Sequence, residues 1–159
     1  KDFHSFASSK LIDILPEEKI DEGIVYEISN FKSIVLINNN GILDPLYLPI
    51  EAQTSPIKSC LVQDFNDDGF KDLLLVGNHY GVEVETVRYD AGHGSLFFGD
   101  GKNNFRFVPP SESGVYISKD SRNVSLLRTT NEENIYLTTN NNSTISVYKK
   151  NNTKFSEKI

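Results

Sequence analysis

The sequence predicts an all-β fold: a partial β-propeller of about three blades, with a short helical segment at its N-terminus. From Gly23 onward, runs rich in Val, Ile, Leu, Tyr and Phe alternate with clusters of Asn, Asp, Gly and Ser, a pattern typical of strands joined by turns. Three stretches, each an apolar strand followed by an Asn/Gly turn, begin at Ser33, Ser95 and Ser146, 62 and 51 residues apart. This spacing favours propeller blades, and a single β-sandwich is the alternative.

The repeats define the expected organisation of the chain. We expect one domain over residues 1–159, with blades at about 23–50, 57–110 and 114–159. Three blades are too few to close a ring, since propellers have about four to eight. Because the chain also has no Met and no apolar segment at its start, we expect the remainder of the propeller to belong to a longer precursor and to be the first partner of this chain.

One helical signal precedes the strands. Ser8 and Ser9 can cap a short helix over residues 10–15, which Pro16 would end, and a second helical turn would follow at Glu17.

Composition excludes several classes of function. The net charge is −6 and the basic residues are scattered, so nucleic acid is not an expected partner. No apolar run reaches the ~18 to 20 residues of a membrane-spanning helix. Cys60 is the single cysteine, and its apolar neighbours Leu61 and Val62 predict a buried thiol.

The most specific motif is the nine-residue loop from Asp64 to Asp72. Oxygen-bearing side chains occupy its positions one, three, five and nine, and Gly69 occupies position six, where it allows a sharp turn. Calcium takes six to eight hard oxygen ligands, and alternate residues of a tight loop can direct their oxygens to one centre. The predicted Ca²⁺ ligands are the side chains of Asp64, Asn66, Asp68 and Asp72 and the carbonyl of Phe70.

Other interpretations of this loop are weaker. An EF-hand requires a bidentate Glu at position twelve and a following helix, but Leu75 occupies that position within an apolar run that predicts a strand. A polar β-turn would also use Asp and Asn, yet three carboxylates in one short loop repel each other unless a cation neutralises them. Magnesium suits a site with fewer carboxylates and more waters.

The loop and the segments around it resemble the FG-GAP and VCBS repeats of calcium-binding β-propellers, which are related in kind to integrin α-subunits and cartilage acidic protein. The resemblance runs from Phe3 to Tyr148. It includes the stretches 52–57, 77–83, 88–91 and 99–102. It implies an exported protein, at the cell surface or in the periplasm or extracellular space, whose propeller acts in recognition or as a scaffold. It brings no catalytic residue.

The segment between residues 78 and 93 is the best candidate for ligand contacts. Arg88, Tyr89 and Asp90 can line a pocket for a protein or carbohydrate ligand, or Arg88 and Asp90 can pair and fix the segment. The alternative function is an extracellular polysaccharide lyase or hydrolase with a site here, since His79 and His93 lie near carboxylates. Against it, Glu83 and Glu85 alternate with Val, which predicts a solvated strand face. We therefore expect no catalytic residue and no organic cofactor.

Overall fold

The computed structural model describes residues 2–151 and 154–158. It divides the chain into two compact units, Lys1–Phe31 and Lys32–Ile159. The turn predicted after Ser146 includes residues 152 and 153, which lie outside the described residues, as does the end of the predicted third blade at residue 159. The prediction of a single domain stays a prediction.

The first unit contains three short helices, α1 (Phe3–Ala7), α2 (Leu11–Ile14) and α3 (Glu17–Asp21). Asp2 caps α1, because its Oδ1 accepts a hydrogen bond from the Ser5 amide at 2.8 Å. The helices α2 and α3 follow the sequence prediction of one helix before Pro16 and a second helical turn after it. Residues 24–31 contain no strand, so the prediction that the first group of strands begins at Gly23 is wrong.

The second unit consists of three antiparallel sheets. The first is the hairpin of β1 (Ile34–Asn39) and β2 (Ile42–Tyr47). The second has the order β3-β4-β5-β6, and the third has the order β10-β9-β8-β7. Their strands are β3 (Ser59–Gln63), β4 (Asp72–Val76), β5 (Ser95–Gly99), β6 (Phe105–Val108), β7 (Ser121–Arg128), β8 (Asn134–Asn140), β9 (Ser146–Asn151) and β10 (Lys154–Lys158). A 3₁₀ turn (Ile50–Gln53) and helix α4 (Pro110–Ser113) lie in the connections.

The three repeated stretches of the sequence each form a hairpin, namely β1–β2, β5–β6 and β9–β10. In the two larger sheets this hairpin supplies the last two of four consecutive strands. In the first sheet it stands alone. Its turn is made by Asn40 and Gly41, both at positive φ (54° and 93°), as a two-residue type I′ turn requires.

The second sheet is covered by apolar side chains on both faces. Along β4, Leu74 and Val76 belong to one buried cluster, which also includes Val124 and Tyr136 of the third sheet. The alternate residues Leu73 and Leu75 belong to a second buried cluster on the opposite face. All five residues of β4 are therefore buried, as expected of a strand covered on both sides.

The second cluster joins the second sheet to the first hairpin. Leu48, just after β2, and Ala52 of the 3₁₀ turn are buried in it, and Val35 of β1 packs against it. In the other direction, β7 of the third sheet lies against β3 and β4. The second sheet thus has neighbours on both faces.

The fold is mostly β with a few short helices, as the sequence predicts. The described residues form no closed ring, so their sheets alone do not make a propeller. The first sheet is smaller than predicted, since within the predicted range 23–50 its strands occupy only Ile34–Asn39 and Ile42–Tyr47. Cys60 is exposed, which corrects the prediction of a buried thiol.

Candidate metal centre

The loop from Asp64 to Asp72 connects β3 to β4, as the sequence predicts. Within it, Asp67 and Gly69 have positive φ, 63° and 91°. Asp is one of the few non-glycine residues that tolerate this region, and glycine enters it freely. These two residues reverse the chain, and Gly69 allows the sharp turn that its position in the motif predicts.

Three predicted ligands direct their oxygens toward the amides of their own loop. Asp64 accepts hydrogen bonds from the amides of Asp68 (3.2 Å) and Gly69 (2.8 Å). Asn66 Oδ1 accepts from the Asp68 amide at 3.1 Å, and Asp68 Oδ1 accepts from the Phe70 amide at 2.8 Å. Asn66 Nδ2 also donates to Asp68 Oδ2 at 2.7 Å. The structure therefore brings Asp64, Asn66 and Asp68 together.

Asp64 is held in its ionised form by this arrangement. Partial desolvation acts to raise its pKa, but the amides of Gly69, Asp67, Asp68 and Asn66 outweigh this effect and lower the pKa below the ordinary value of 3.8. An ionised carboxylate is the form that binds a hard cation.

Asp72, at the start of β4, is completely buried. Its Oδ2 accepts from the Phe65 amide at 2.7 Å, and its Oδ1 accepts from the Gly99 amide of β5 at 2.9 Å. Burial raises the pKa of Asp72, the two amides lower it, and the negative charges of Asp68 and Asp64 raise it again, with a net increase. Asp72 thus closes the loop at its β4 end through its hydrogen bonds to the Phe65 and Gly99 amides.

A fourth acid of the loop, Asp67, has a partner outside it. It forms an ion pair with Lys150 of β9 at 2.9 Å, and its side chain is 82% exposed. The pair connects the loop to the third sheet. The spacing did not assign Asp67 as a ligand.

The described residues contain no group of three or more His, Cys, Asp or Glu side chains already arranged to hold a metal ion. The carboxylates of Asp64, Asp68 and Asp72 accept hydrogen bonds from backbone amides instead. Their donor chemistry, four side-chain oxygen groups and a nearby main-chain carbonyl at Phe70, fits calcium. Binding requires some of these oxygens to turn from the amides toward a shared centre, and the five-residue ligand set stays a prediction.

The segment 78–93, which the sequence predicts to contact a ligand, is held by an ion pair, a cation–π contact and a short backbone bridge. Arg88 Nη2 and Asp90 Oδ2 form an exposed ion pair at 3.1 Å, and the Arg88 guanidinium lies 4.6 Å from the centroid of the Tyr80 ring. The backbone of Tyr89 forms a two-bond bridge with His79. The strand predicted over residues 82–87 is wrong, since this stretch contains only a turn, although Glu83 and Glu85 are exposed as expected.

The two histidines of this segment have different surroundings. The His93 ring stacks on Tyr116 with 5.0 Å between centroids. His79 Nδ1 is buried and has no hydrogen-bond partner among the described residues.

Asn78 joins the start of the 78–93 segment to its end through hydrogen bonds to Gly92. The sequence analysis did not identify it as a functional residue. Its side chain is fully buried. Its Oδ1 accepts from Ser55 Oγ (2.7 Å) and the Gly92 amide (2.9 Å), and its Nδ2 donates to the carbonyls of Gly92 (2.9 Å) and Lys119 (3.1 Å). The stretch Gly77 to Glu83, which carries part of the family resemblance, was the only signal pointing to it.

Gly92, which bonds to Asn78 through its amide and its carbonyl, has no room for a side chain. A Cβ atom there would lie 2.5 Å from the Gly77 carbonyl oxygen and 2.7 Å from Asn78 Oδ1. We expect Gly92→Ala to lower the free energy of unfolding by about 1–3 kcal/mol, because the backbone must shift. Urea unfolding measures this change. Gly81→Ala is the control, since its Cβ would come no closer than 3.9 Å to the His79 ring. Equal losses of stability in the two variants would show that the close packing of Gly92 against Asn78 does not stabilise the fold.

No protein-family model, curated protein or solved structure matches this chain. The resemblance to FG-GAP and VCBS repeats therefore stays a prediction from the motifs themselves. No helix in the described part of the chain combines the length and apolarity needed to cross a membrane.

Proposed function

We propose that this chain is a calcium-binding module with no catalytic activity of its own, which acts in recognition or as a scaffold. The observation that carries the proposal is the Asp64 to Asp72 loop. Asp64, Asn66 and Asp68 are gathered in one turn, and the buried Asp72 begins the strand that follows it. A divalent cation relieves the repulsion among three carboxylates.

Calcium is the cation that suits this loop best. Five protein oxygen groups exceed the one or two carboxylates of a typical magnesium site. Nitrogen and sulfur ligands, which transition metals prefer, are absent from the loop sequence. Bound calcium would stiffen the connection between β3 and β4 and, through the hydrogen bond from the Gly99 amide to Asp72, the turn end of the β5–β6 hairpin.

We further propose that the three sheets are blades of a β-propeller of the FG-GAP and VCBS kind. Two features support this: the second and third sheets are four-stranded meanders in chain order, and each of two buried clusters contains residues contributed by consecutive sheets or their connections. On the outer face of the first hairpin, Ile34, Leu36, Leu43 and Tyr47 are 37%, 53%, 56% and 53% exposed. An apolar sheet face of this kind suits a neighbouring blade. An exported protein at the cell surface, periplasm or extracellular space is the setting that the resemblance implies.

The absence of catalysis is tested with substrates. We expect the purified protein, saturated with calcium, to cleave no member of a panel of extracellular polysaccharides above the background of a protein-free blank. Reducing-end release and absorbance of unsaturated products measure hydrolase and lyase activity. Reproducible turnover that His93→Ala or Asp90→Ala abolishes, with circular dichroism unchanged, would overturn the proposal in favour of a polysaccharide-acting enzyme.

A further inference from the structure

The main chain of β1 has one open edge. The Leu48 amide donates to the Ser33 carbonyl at 3.2 Å, so these two residues form a hydrogen-bonded pair at the start of the hairpin. In an antiparallel pair, every second residue directs its N–H and C=O groups away from the partner strand. In β1 these outward-facing residues are Ile34, Leu36 and Asn38. No strand pairs with this edge in the part of the chain that the structure describes.

β1 also lacks the features that protect the edges of sheets. Charged residues, Pro and bulges discourage a further strand from pairing with an edge, but β1 reads Ile-Val-Leu-Ile-Asn-Asn and its register with β2 is continuous. Every other edge strand of the described sheets either carries a charged residue or, in the case of β3, lies against β7. The charged residues are Asp44 in β2, Arg106 in β6, Arg122 and Arg128 in β7, and Lys154, Glu157 and Lys158 in β10. β1 is therefore the edge most open to another strand.

Pro45 closes the opposite edge of this hairpin. It pairs with Leu36 in the register of β1 and β2, so its nitrogen faces outward on β2 as the Leu36 amide does on β1. Proline has no N–H to donate, and within sheets it is confined to positions of this kind. An added strand would thus meet a donor at the centre of the β1 edge and none at the centre of the β2 edge.

The other two sheets indicate what kind of strand fits this position. The hairpins β5–β6 and β9–β10 correspond to β1–β2 in the sequence repeat. In each of them a further antiparallel strand pairs with the first strand of the hairpin, β4 with β5 and β8 with β9. Both of these strands are uncharged after their first residue and rich in apolar or β-branched residues. The open edge of β1 therefore suits an uncharged antiparallel strand.

The second sheet is also incompletely covered on the face that packs toward the first hairpin. Cys60 and Val62 are in register with Leu75 and Leu73 and point to the same face as these buried residues, yet both are exposed, Val62 to 55%. The end of β2 and the start of β6 border a common cavity. A strand added beside β1 therefore extends the first sheet away from β6 and toward β3, the strand that carries Cys60 and Val62.

We propose that the open edge of β1 binds an extended, uncharged segment of a partner protein as an antiparallel strand, with main-chain hydrogen bonds to Ile34, Leu36 and Asn38. In this mode of recognition the main chain supplies affinity and the alternate side chains supply specificity. Apolar residues on the inner face of the added strand would cover Cys60 and Val62. Pairing with β1 of a second copy is less suitable, because the second sheet of that copy would enter the layer that β3 and β4 occupy.

The proposal rests on the recognition or scaffold role given above and names its kind of partner. It uses the edge of the first hairpin, whereas the apolar outer face of that hairpin stays free for a neighbouring blade. It does not involve the metal loop.

The test is amide hydrogen exchange of the full chain, followed by NMR in calcium and in chelator. In the free protein we expect the amides of Val35 and Ile37, which face β2, to be protected, and those of Ile34, Leu36 and Asn38 to exchange freely. The probe is the capped peptide Asn-Ile-Tyr-Leu-Thr-Thr-Asn, which copies β8. At saturation we expect it to slow exchange of the three outward-facing amides about tenfold or more.

Matched changes in the probe and in the protein isolate main-chain pairing. A peptide with Pro in place of its central Leu lacks one N–H and is expected to give no protection, and a peptide with Lys in place of its Ile and Leu is expected to bind about tenfold more weakly. In the protein, Leu36→Pro removes the outward-facing N–H without removing a hydrogen bond to β2, and is expected to weaken peptide binding about tenfold or more. Leu36→Ala keeps this N–H and is expected to stay within about threefold of the wild type. If Leu36→Pro does not fold, the three peptides decide on the wild-type protein.

Each outcome separates this proposal from that of the calcium module. Outward-facing amides already protected in the free protein, no protection by the β8 peptide, protection confined to β7 or β9, or equal binding of the Pro or Lys peptide overturns the β1 edge as the docking site. Protection that rises with protein concentration alone would show that a second copy occupies the edge, and would overturn it as well. If calcium still binds in any of these cases, the metal proposal stands. Peptide binding at β1 in a protein that takes up no calcium would leave the docking edge standing and remove the calcium module.

Discussion

Asp72→Ala is expected to lower the free energy of unfolding by about 2–5 kcal/mol in the absence of calcium. The substitution leaves the buried amides of Phe65 and Gly99 without an acceptor, and each such loss costs about 1–3 kcal/mol. Urea unfolding in chelator isolates this contribution from that of the metal. Asp72 therefore stabilises the junction of β3, β4 and β5 even without an ion.

Asp100→Ala is the matched control for this prediction. Asp100 also accepts two backbone hydrogen bonds, from Lys102 (2.7 Å) and Asn104 (3.1 Å), but it lies in an exposed turn. Water replaces its carboxylate there, so we expect a loss of less than about 1 kcal/mol. A loss that small for Asp72→Ala as well would show that the buried hydrogen bonds of Asp72 do not stabilise the fold.

Calcium is expected to stabilise the wild-type protein, and Asp68→Ala is expected to remove this effect. At a free calcium concentration 100 times the dissociation constant, one site adds about 2.7 kcal/mol. In chelator, Asp68→Ala should unfold close to the wild-type temperature, because the side chain is exposed and its removal takes away one of three mutually repelling charges. Thermal unfolding with calcium and with chelator, for both proteins, measures the difference.

The control is Asp67→Ala. Asp67 lies in the same loop but pairs with Lys150 and is 82% exposed, so its loss should cost at most about 1 kcal/mol. The calcium effect should remain. If the two substitutions reduce the calcium effect equally, the loop responds to its total charge and not to the predicted ligand geometry.

Local sequence patterns predicted the parts of the fold that depend on neighbouring residues. The strands on either side of the metal loop and the hairpin with the Asn40–Gly41 turn were identified because turn chemistry and apolar runs are local. The Val/Glu alternation at 82–87 failed because it has no neighbouring strand to pair with, and an alternating pattern alone does not form a sheet. The apolar residues that follow Gly23 likewise form no strand before β1.

Burial was harder to predict than secondary structure. Cys60 is exposed although Leu61 beside it packs against the core, because successive residues of a strand point to opposite faces. The apolar neighbours of Cys60 did not reveal which face is covered.

The long-range polar contacts of Asn78 and Asp120 could not be predicted at all. Asn78 bonds to Gly92 and Lys119, 14 and 41 residues away, and Asp120 accepts from Tyr80, 40 residues away. In sequence both are ordinary turn residues. Only the folded chain shows that one closes a loop and that the other has a buried oxygen without a donor among the described residues.

The calcium site itself is tested most directly by calorimetric titration of the chelator-treated, full-length chain with calcium. We predict saturable heat that fits one ion per chain, much weaker binding of magnesium, and loss of the signal in Asp68→Ala but not in Asp67→Ala. A titration with no heat, together with equal unfolding temperatures in calcium and chelator, would contradict the assignment of Asp64, Asn66, Asp68, Phe70 and Asp72 as a calcium site.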